Sequence, residues 1–269
     1  MNTQWLTTHR FEPRQGEPSP AKLARAVAQR GVARLSGFPS DATTLIRFLA
    51  QIGQPIEYYG GSVGSHPEQA ALWRVRYEVE AAERQETHAL DGPLSVHSSQ
   101  SLLDPRPRYF GMLMVDPGWQ GDPVGFNGES LLVPWSAAFR HLEAQSPADF
   151  AWVLDALEGP VSFPDGISRP VVYSLQDQRG PHDFGVRLKS DLLTHLTRES
   201  PTSQQTQAVE RLSRAGDSAA LRTQLSAHDL VLVDNDRWGH GRESVTGARR
   251  DQRGNLRVNP RELWSLTLR

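Results

Sequence analysis

The chain has 269 residues, with 29 Lys and Arg against 31 Asp and Glu, and it contains no cysteine. This near-neutral balance argues against a nucleic-acid binder that works by neutralising phosphates, and the lack of cysteine excludes disulfides, thiolate catalysis and cysteine-held zinc. The sequence has no apolar run long enough to cross a membrane and no secretory signal at its N-terminus. We therefore expect a cytoplasmic protein with a small-molecule substrate and with no membrane or nucleic-acid partner.

Helical and strand patterns alternate in the N-terminal part of the chain, about residues 1–90. Residues 19–31 have the capping serine, the apolar face and the terminal glycine of a helix. Residues 31–38 alternate like a strand, and residues 40–53 repeat the helical pattern with Ser40 as the expected cap. We expect this part to be mainly helical.

Strand patterns, in which apolar residues alternate or form short buried runs, cover three further parts of the chain: about residues 91–135, 160–190 and 228–269. Helical insertions are expected at about 136–159, with a break at Pro147, and at about 200–226. Core strands that enclose helical insertions are typical of a mainly β fold, the double-stranded β-helix or jelly roll of cupin-like proteins. No repeat or linker divides the chain, so residues 1–269 are expected to form a single jelly-roll domain with N-terminal and inserted helices.

The most informative segment is "DLVLVDNDRWGHGRESV", residues 229–245. A buried apolar strand runs into an Asp-Asn turn, and His240 follows in the same segment. A second histidine, His97, ends the strand pattern "PLSVH". Either histidine taken alone is as well explained as a partly buried structural residue, but the two motifs together make both of them candidate metal ligands.

The segment 229–245 resembles the distal-histidine motif of the iron(II)/2-oxoglutarate-dependent oxygenases, in the branch that includes taurine dioxygenase and clavaminate synthase. Three other segments are similar to parts of the same family: "RGVARLSGF" near the N-terminus, "GFNGESLLVPW" at 125–135 and "RELWSL" at 261–266. The resemblance implies an oxidoreductase that binds iron(II), 2-oxoglutarate and O2, with His97 and His240 as the metal ligands.

The resemblance also implies how the co-substrate is held. Two imidazoles and one carboxylate bind the metal on one face and leave the other face open, where 2-oxoglutarate chelates it through its keto acid. The far carboxylate of 2-oxoglutarate needs a cation, and the guanidinium fork of arginine suits it. Arg261 is expected in this role, with Ser130 adding a hydrogen bond. Arg257 is the rival, but it precedes Asn259 and Pro260, which favours a loop.

The proximal motif departs from the family pattern at Ser99. The family has His-x-Asp or His-x-Glu, and Ser99 stands where the carboxylate belongs, although a neutral hydroxyl is a poor iron ligand. In an oxygenase, water or a nearby acid such as Asp104 or Glu129 would fill the position. In a radical halogenase of this family, a halide such as chloride would occupy it. A third alternative is a non-catalytic binding protein on the same fold.

The leading expectation is an enzyme that oxidises an unactivated C–H bond of a small polar substrate, either an amino acid or a related metabolite. The reaction would be a hydroxylation or another oxidation, coupled to the conversion of 2-oxoglutarate into succinate and CO2. Because the missing carboxylate decides what binds beside the metal, the type of reaction depends on Ser99.

Overall fold

The computed structural model of the chain describes residues 8–10, 19–57, 64–81 and 89–269. Within these ranges the α-helices are α1 (Pro20–Arg30), α2 (Ala42–Leu49), α3 (Trp135–Gln145), α4 (Pro147–Glu158), α5 (Leu192–Glu199) and α6 (Gln204–Ala219). The strands of the first half are β1 (Thr8–Arg10), β2 (Val32–Ser36), β3 (Trp73–Arg76), β4 (Leu94–His97), β5 (Tyr109–Asp116) and β6 (Ser130–Pro134).

The strands of the second half are shorter on average and more numerous. They are β7 (Val161–Ser162), β8 (Ser168–Arg169), β9 (Val172–Ser174), β10 (Phe184–Val186), β11 (Leu221–Thr223), β12 (Leu230–Asp234), β13 (Trp238–Arg242), β14 (Ala248–Arg250), β15 (Leu256–Val258) and β16 (Glu262–Leu268). No helix in the described ranges combines the length and the apolar character that a membrane crossing requires.

Two sheets form the body of the molecule. The large sheet has the strand order β1-β2-β12-β5-β16-β3, and the small sheet has the order β11-β6-β13-β4. Strands from the C-terminal part of the chain are inserted between strands from the N-terminal part, since β12 lies between β2 and β5, and β13 lies between β6 and β4. This topology places the end of β4 beside the middle of β13.

The two sheets face each other across a buried apolar layer. Phe110 and Val233 of the large sheet pack in one cluster with Leu132 and Trp238 of the small sheet. A second cluster buries the apolar faces of α1 and α2 against the large sheet, and a third buries α3, α4 and α6 against the small sheet. Burial of this kind, at about 1.5–3 kcal/mol for each large apolar side chain, holds both sheets in place around the space between them.

The ends of the first two helices follow from their capping residues. Ser19 caps α1 by accepting a hydrogen bond from a backbone N–H of the first turn, and Gly31 ends the helix at φ 78°. In α2 the side chain of Asp41 accepts from the N–H of Thr44 at 2.7 Å. The predicted cap, Ser40, is therefore wrong by one residue, because Asp41 is the residue whose carboxylate reaches the open N–H groups.

The structure corrects one predicted helical insertion and agrees with the other. The break at Pro147 separates α3 from α4 as expected. The insertion at about 200–226 does not continue to its predicted end, because Leu221–Thr223 forms β11 and pairs with β6. Its own helical pattern is overridden by this pairing, which buries Thr223. The mainly β architecture with several helices is confirmed, and the jelly-roll connectivity and the single-domain boundaries stay predictions.

Candidate active site

The register between β4 and β13 brings the two predicted metal ligands together. His97 and His240 are paired across the two strands, and the centroids of their rings lie 4.3 Å apart. Both histidines line a cavity of about 260 Å3 between the two sheets, and the same cavity is lined by Ser99, Ser130 and Arg261. All five residues singled out in the sequence therefore meet at one place.

Both imidazoles are prepared to act as neutral ligands. Nδ1 of His97 lies 2.9 Å from the backbone oxygen of Ser95, and because a carbonyl can only accept, Nδ1 carries the proton and Nε2 keeps its lone pair. Burial lowers the pKa of His97, and the hydrogen bond to Ser95 offsets this only in part. Burial, reinforced by the neighbouring His97, lowers the pKa of His240 well below its usual value.

The ring of His240 is fixed by stacking on Phe110, with centroids 3.9 Å apart and planes at 19°. Its Nδ1 is buried without a hydrogen-bond partner among the described residues. Such an orphaned nitrogen is unfavourable in the protein alone, which fits a ring positioned for a ligand from outside the chain. The role of Phe110 could not be predicted from the sequence, because an apolar residue in a buried strand looks like any other core residue.

Ser99 is held by its backbone and not by its side chain. Its N–H donates to Oδ1 of Asn235 at 2.8 Å, and its carbonyl accepts from Nδ2 of the same residue at 3.0 Å. The Ser99 hydroxyl makes no hydrogen bond within the described part of the chain, and Ser99 lines the cavity. The carboxylate of the family pattern is missing, but the backbone that would carry it is firmly placed.

Neither acid considered as a substitute for that carboxylate is free to serve. Asp104 is largely exposed and accepts from Arg187 at 2.6 Å. Glu129 accepts from the N–H groups of Gly125 and Asn127 at 3.0 and 3.2 Å; burial acts to raise its pKa, but these hydrogen bonds outweigh burial and leave it lowered. Across residues 8–10, 19–57, 64–81 and 89–269, no three His, Asp or Glu side chains are grouped to hold a metal. The site offers two imidazoles.

Arg261, directly before β16, forms the other half of the site. Its side chain is almost fully buried, and Nη2 donates to the carbonyl of Gly128 at 2.9 Å. Its Nε is buried with no partner, and no carboxylate of the described residues forms an ion pair with it. Burial and the nearby Arg242 lower its pKa to about 9, so it is still a cation at pH 7. A buried cation without an anion is costly, and this one faces a cavity of ligand size.

The backbone around Gly128 is shaped to let the Arg261 side chain pass. Gly128 has φ +64°, and a Cβ at this position would lie 2.7 Å from Nε of Arg261. Two residues later, Ser130 is buried at the start of β6 and is paired with Arg242 of β13. The segment that was predicted to bind 2-oxoglutarate therefore lies against the predicted arginine.

The rival arginine lies elsewhere. Arg257 belongs to the two-stranded sheet of β14 and β15, is exposed, and pairs with Asp251 at 3.2 Å. Arg242, in contrast, lines the cavity and donates to the carbonyls of Leu90 and Gly92 at 2.6 and 2.7 Å. Burial lowers the pKa of Arg242 to about 10. The cavity thus contains two arginines, of which only Arg261 was identified as a ligand from the sequence.

The remaining wall belongs to the inner face of the large sheet. Ser265 of β16 is paired with Trp73 of β3 on one side and with Met112 of β5 on the other, and all three line the cavity. Leu263, two residues earlier on β16, lies on the same face. None of these residues was predicted from the sequence, although the alternation of a strand that starts at Arg261 indicates positions 263 and 265.

The groups in the cavity fit a metal and a dicarboxylate. The two neutral imidazoles would supply the nitrogen ligands, and the cavity that they line has room for a small molecule. The orphaned Nε of Arg261 and the space left by Gly128 supply a receptor for a carboxylate. A chelating co-substrate with an acidic far end would connect these two halves.

The comparisons with known proteins agree with this geometry. The model of the "Taurine catabolism dioxygenase TauD, TfdA family" matches residues 7–256. Among solved structures, a taurine dioxygenase from Burkholderia xenovorans matches with a TM-score of 0.59 and 17% identity, covering 97% of this chain and 87% of that one. Asparagine oxygenase matches with a TM-score of 0.57 and 19% identity, covering 93% and 76% of the two chains.

A third similar structure is PvcB, an iron and α-ketoglutarate dependent oxygenase from an isonitrile synthetic pathway. Its TM-score is 0.58 at 18% identity, and the match covers 93% of this chain and 79% of that one. At these identities the solved structures show a shared fold. No curated protein matches the sequence.

Proposed function

This chain belongs to the taurine catabolism dioxygenase TauD, TfdA family, and we propose that within this family it oxidises an unactivated C–H bond of a small polar substrate. As a member it is an oxidoreductase that uses iron(II), 2-oxoglutarate and O2. The substrate is proposed to be an amino acid or a related metabolite. One observation carries the proposal: a neutral histidine pair lines one cavity together with a buried arginine that forms no ion pair with the described residues.

His97 and His240 are proposed to hold the iron. When bound, iron(II) and 2-oxoglutarate supply the oxidative chemistry, in which 2-oxoglutarate is decarboxylated to succinate and the substrate C–H bond is oxidised. The chain contributes the orientation of both rings, through the carbonyl of Ser95 and the face of Phe110. Because burial lowers both pKa values, protons compete with the metal for these nitrogens less than they would at an ordinary histidine.

Arg261 is proposed to bind the far carboxylate of 2-oxoglutarate, and Ser130 to add a hydrogen bond. In the buried site a charge-assisted pair is stronger than in water, and the carboxylate would neutralise a cation that is now unpaired. Gly128 contributes by leaving room for the guanidinium and by accepting from its Nη2. The two facing sheets also support the jelly-roll assignment, since the cavity lies between them.

The substrate is proposed to lie against Trp73, Met112 and Ser265. This part of the cavity combines apolar surface with a neutral hydroxyl, which suits the side chain of a small amino acid or a derivative. The family resemblance and two similar structures support this class. Asparagine oxygenase was solved with iron(II), a 3-hydroxyasparagine and succinate, and the non-heme iron oxygenase OrfP was solved with a 3-hydroxyarginine.

A radical halogenase is the second candidate, and the site at Ser99 favours it. The position of the family carboxylate is held by a small side chain whose hydroxyl has no partner, and both nearby acids are engaged elsewhere. A halide or a water molecule would therefore complete the metal site. With a halide there, halogen would replace the hydrogen on the substrate carbon; with water there, the carbon would receive a hydroxyl group whose oxygen comes from O2.

Product analysis separates these functions. The protein is incubated with iron(II), 2-oxoglutarate, O2 and a panel of amino acids and their derivatives, with and without chloride or bromide. We expect iron-dependent succinate that increases with the true substrate, and a product heavier by one oxygen or by one halogen in place of hydrogen. A product mass that does not change with halide would contradict the halogenase. No iron-dependent succinate with any substrate would contradict both functions.

A further inference from the structure

Two buried asparagines each hold the backbone of one residue of the candidate site. Asn235, in the turn between β12 and β13, is fully buried, and Asn259, between β15 and β16, is 4% exposed. Asn235 contacts Ser99 on the metal side, and Asn259 contacts Arg261 on the carboxylate side. Neither asparagine lines the cavity, so their effect on ligands is indirect and acts through the residues whose backbone they hold.

The Asn235 side chain uses its full amide to fix the segment that follows His97. Its Oδ1 accepts from the N–H of Ser99 at 2.8 Å, and its Nδ2 donates to the carbonyls of Ser99 and Pro107, both at 3.0 Å. The neighbouring Ser98 is held independently, since its hydroxyl donates to the carbonyl of Val186 at 2.7 Å. Both peptide groups of Ser99 are therefore fixed, and its Cβ has one direction relative to the histidines.

The Asn259 side chain fixes the backbone of Arg261 in a similar way. Its Oδ1 accepts from the N–H of Arg261 at 3.0 Å and from the N–H of Trp119 at 3.2 Å, and its Nδ2 donates to the carbonyl of Thr246 at 2.7 Å. Gly118 adjoins this contact, because a Cβ there would collide with Oδ1 of Asn259. The arginine thus leaves the backbone at a point that three segments of the chain hold together.

We propose that Asn235 and Asn259 are positioning residues with separate tasks: Asn235 sets the third metal position through Ser99, and Asn259 sets the binding of the far carboxylate of 2-oxoglutarate through Arg261. The inference rests on the proposed function. An amide suits both tasks because it donates and accepts at once and adds no charge to a buried site. Partners that hold ligand-bearing groups in this way typically affect metal affinity by 10–100-fold.

The test restores the missing carboxylate and asks what holds it in place. Co(II) binding to the full chain is measured by equilibrium dialysis without 2-oxoglutarate. Ser99→Asp is expected to tighten Co(II) binding by about tenfold or more, since a carboxylate then completes the ligand set. Adding Asn235→Ala should remove most of this gain, whereas adding Asn259→Ala should leave it intact. The Co(II) absorption spectrum of the Ser99→Asp protein should change when Asn235→Ala is added and should stay the same when Asn259→Ala is added.

The opposite pattern is expected for the co-substrate. 2-Oxoglutarate is titrated calorimetrically into protein saturated with Co(II), which does not support turnover. Asn259→Ala should weaken 2-oxoglutarate binding by about tenfold, and Asn235→Ala should change it by less than about threefold. Asn235→Asp and Asn259→Asp, which keep the side-chain volume and the accepting oxygen, serve as second variants if an alanine variant does not fold.

The outcomes decide between the inference and its premise. If the unaltered chain binds neither Co(II) nor 2-oxoglutarate, the proposed function fails. If it binds both, but Ser99→Asp gains nothing or keeps its gain in the presence of Asn235→Ala, the assignment of Asn235 is overturned. If both asparagine variants weaken both ligands equally, they support the fold in general, and the separation of tasks is overturned.

Discussion

The two halves of the candidate site differ in what they still contain. The half proposed to bind the carboxylate has all its predicted groups: Arg261 is buried and forms no ion pair with the described residues, Gly128 leaves space for it, and Ser130 lines the same cavity. The metal-binding half has its two histidines and lacks an acid, yet the backbone of Ser99 is held as firmly as that of Arg261. Ser99 thus stands at the position of the family carboxylate in a backbone that Asn235 holds at both its N–H and its carbonyl, which is the arrangement expected if water or a halide completes the metal site that we propose.

The largest effect should come from the half proposed to bind the carboxylate. Arg261→Met keeps most of the side-chain length and removes the cation, so the carboxylate of 2-oxoglutarate loses a buried charged partner. Loss of such a partner costs about 2–5 kcal/mol, roughly 30-fold to several thousand-fold in affinity. Titration of 2-oxoglutarate into the Co(II)-loaded protein measures it.

Arg257→Met is the matched control for this substitution. Arg257 is exposed and pairs with Asp251 away from the cavity. Since an exposed ion pair contributes little, the affinity of the Arg257→Met protein for 2-oxoglutarate should stay within about twofold of that of the unaltered protein. Equal losses in the two variants would mean that the site does not use Arg261.

The next effect concerns the coupling between the two halves. Arg261 and Arg242 are buried cations near a two-histidine site, and 2-oxoglutarate brings two negative charges and chelating oxygens. We expect it to raise Mn(II) affinity by roughly 10–150-fold, at the upper end of usual couplings between ligands. In Ser99→Asp, 2-oxoglutarate should raise Mn(II) affinity by a smaller factor, because the added carboxylate already attracts the metal. Mn(II) EPR titrations with and without 2-oxoglutarate measure this factor in the unaltered protein and in the variant. If the two factors are identical, Ser99 does not stand at a metal position that lacks a carboxylate.

A smaller loss is expected from Gly128→Ala. The new Cβ would lie 2.7 Å from Nε of Arg261, at a residue with φ +64°, and the strained backbone alone costs roughly 1–2 kcal/mol. 2-Oxoglutarate affinity should fall by about tenfold, with Co(II) affinity unchanged. Gly121→Ala, at φ +98° with nothing near its Cβ, carries the strain without the collision. If it weakens 2-oxoglutarate equally, the space beside Arg261 is not what matters.

The smallest effect concerns stability and pH in the metal-free protein. His97 and His240 have pKa values lowered by burial, so the unfolded chain takes up protons first as the pH falls. Above the unfolded pKa of about 6.5 the two histidines do not reduce the free energy of unfolding. Below it each lowers that free energy by up to about 1.4 kcal/mol per pH unit. Urea unfolding at pH 7.5 and 5.5 should show this decrease, and the double variant His97→Gln with His240→Gln should show a clearly smaller decrease.

The sequence predicted the chemistry of the site better than its supports. The histidines and Arg261 sit in motifs whose residue types and order carry the information. Arg257 was predicted to lie in a loop because Asn259 and Pro260 follow it, but it lies in β15 and is exposed; the choice of Arg261 over Arg257 stays a prediction. Asn235 lay within the quoted motif, but its partner is 136 residues away, and only the folded chain shows which loop it meets. In the same way, Leu221–Thr223 forms β11 because it pairs with the free edge of β6. No local pattern in these three residues indicates that pairing.

The central claim is that His97, His240 and Arg261 form one iron(II) and 2-oxoglutarate site. Anaerobic addition of iron(II) and 2-oxoglutarate tests it most directly, because the chelate absorbs visible light only when both are bound together. We expect a charge-transfer band in the unaltered protein and its loss in His240→Ala, with at least a 100-fold drop in metal affinity, on the order of the largest effects of removing supporting groups. If the unaltered protein shows no band and His240→Ala binds the metal as tightly as before, these three residues do not form such a site.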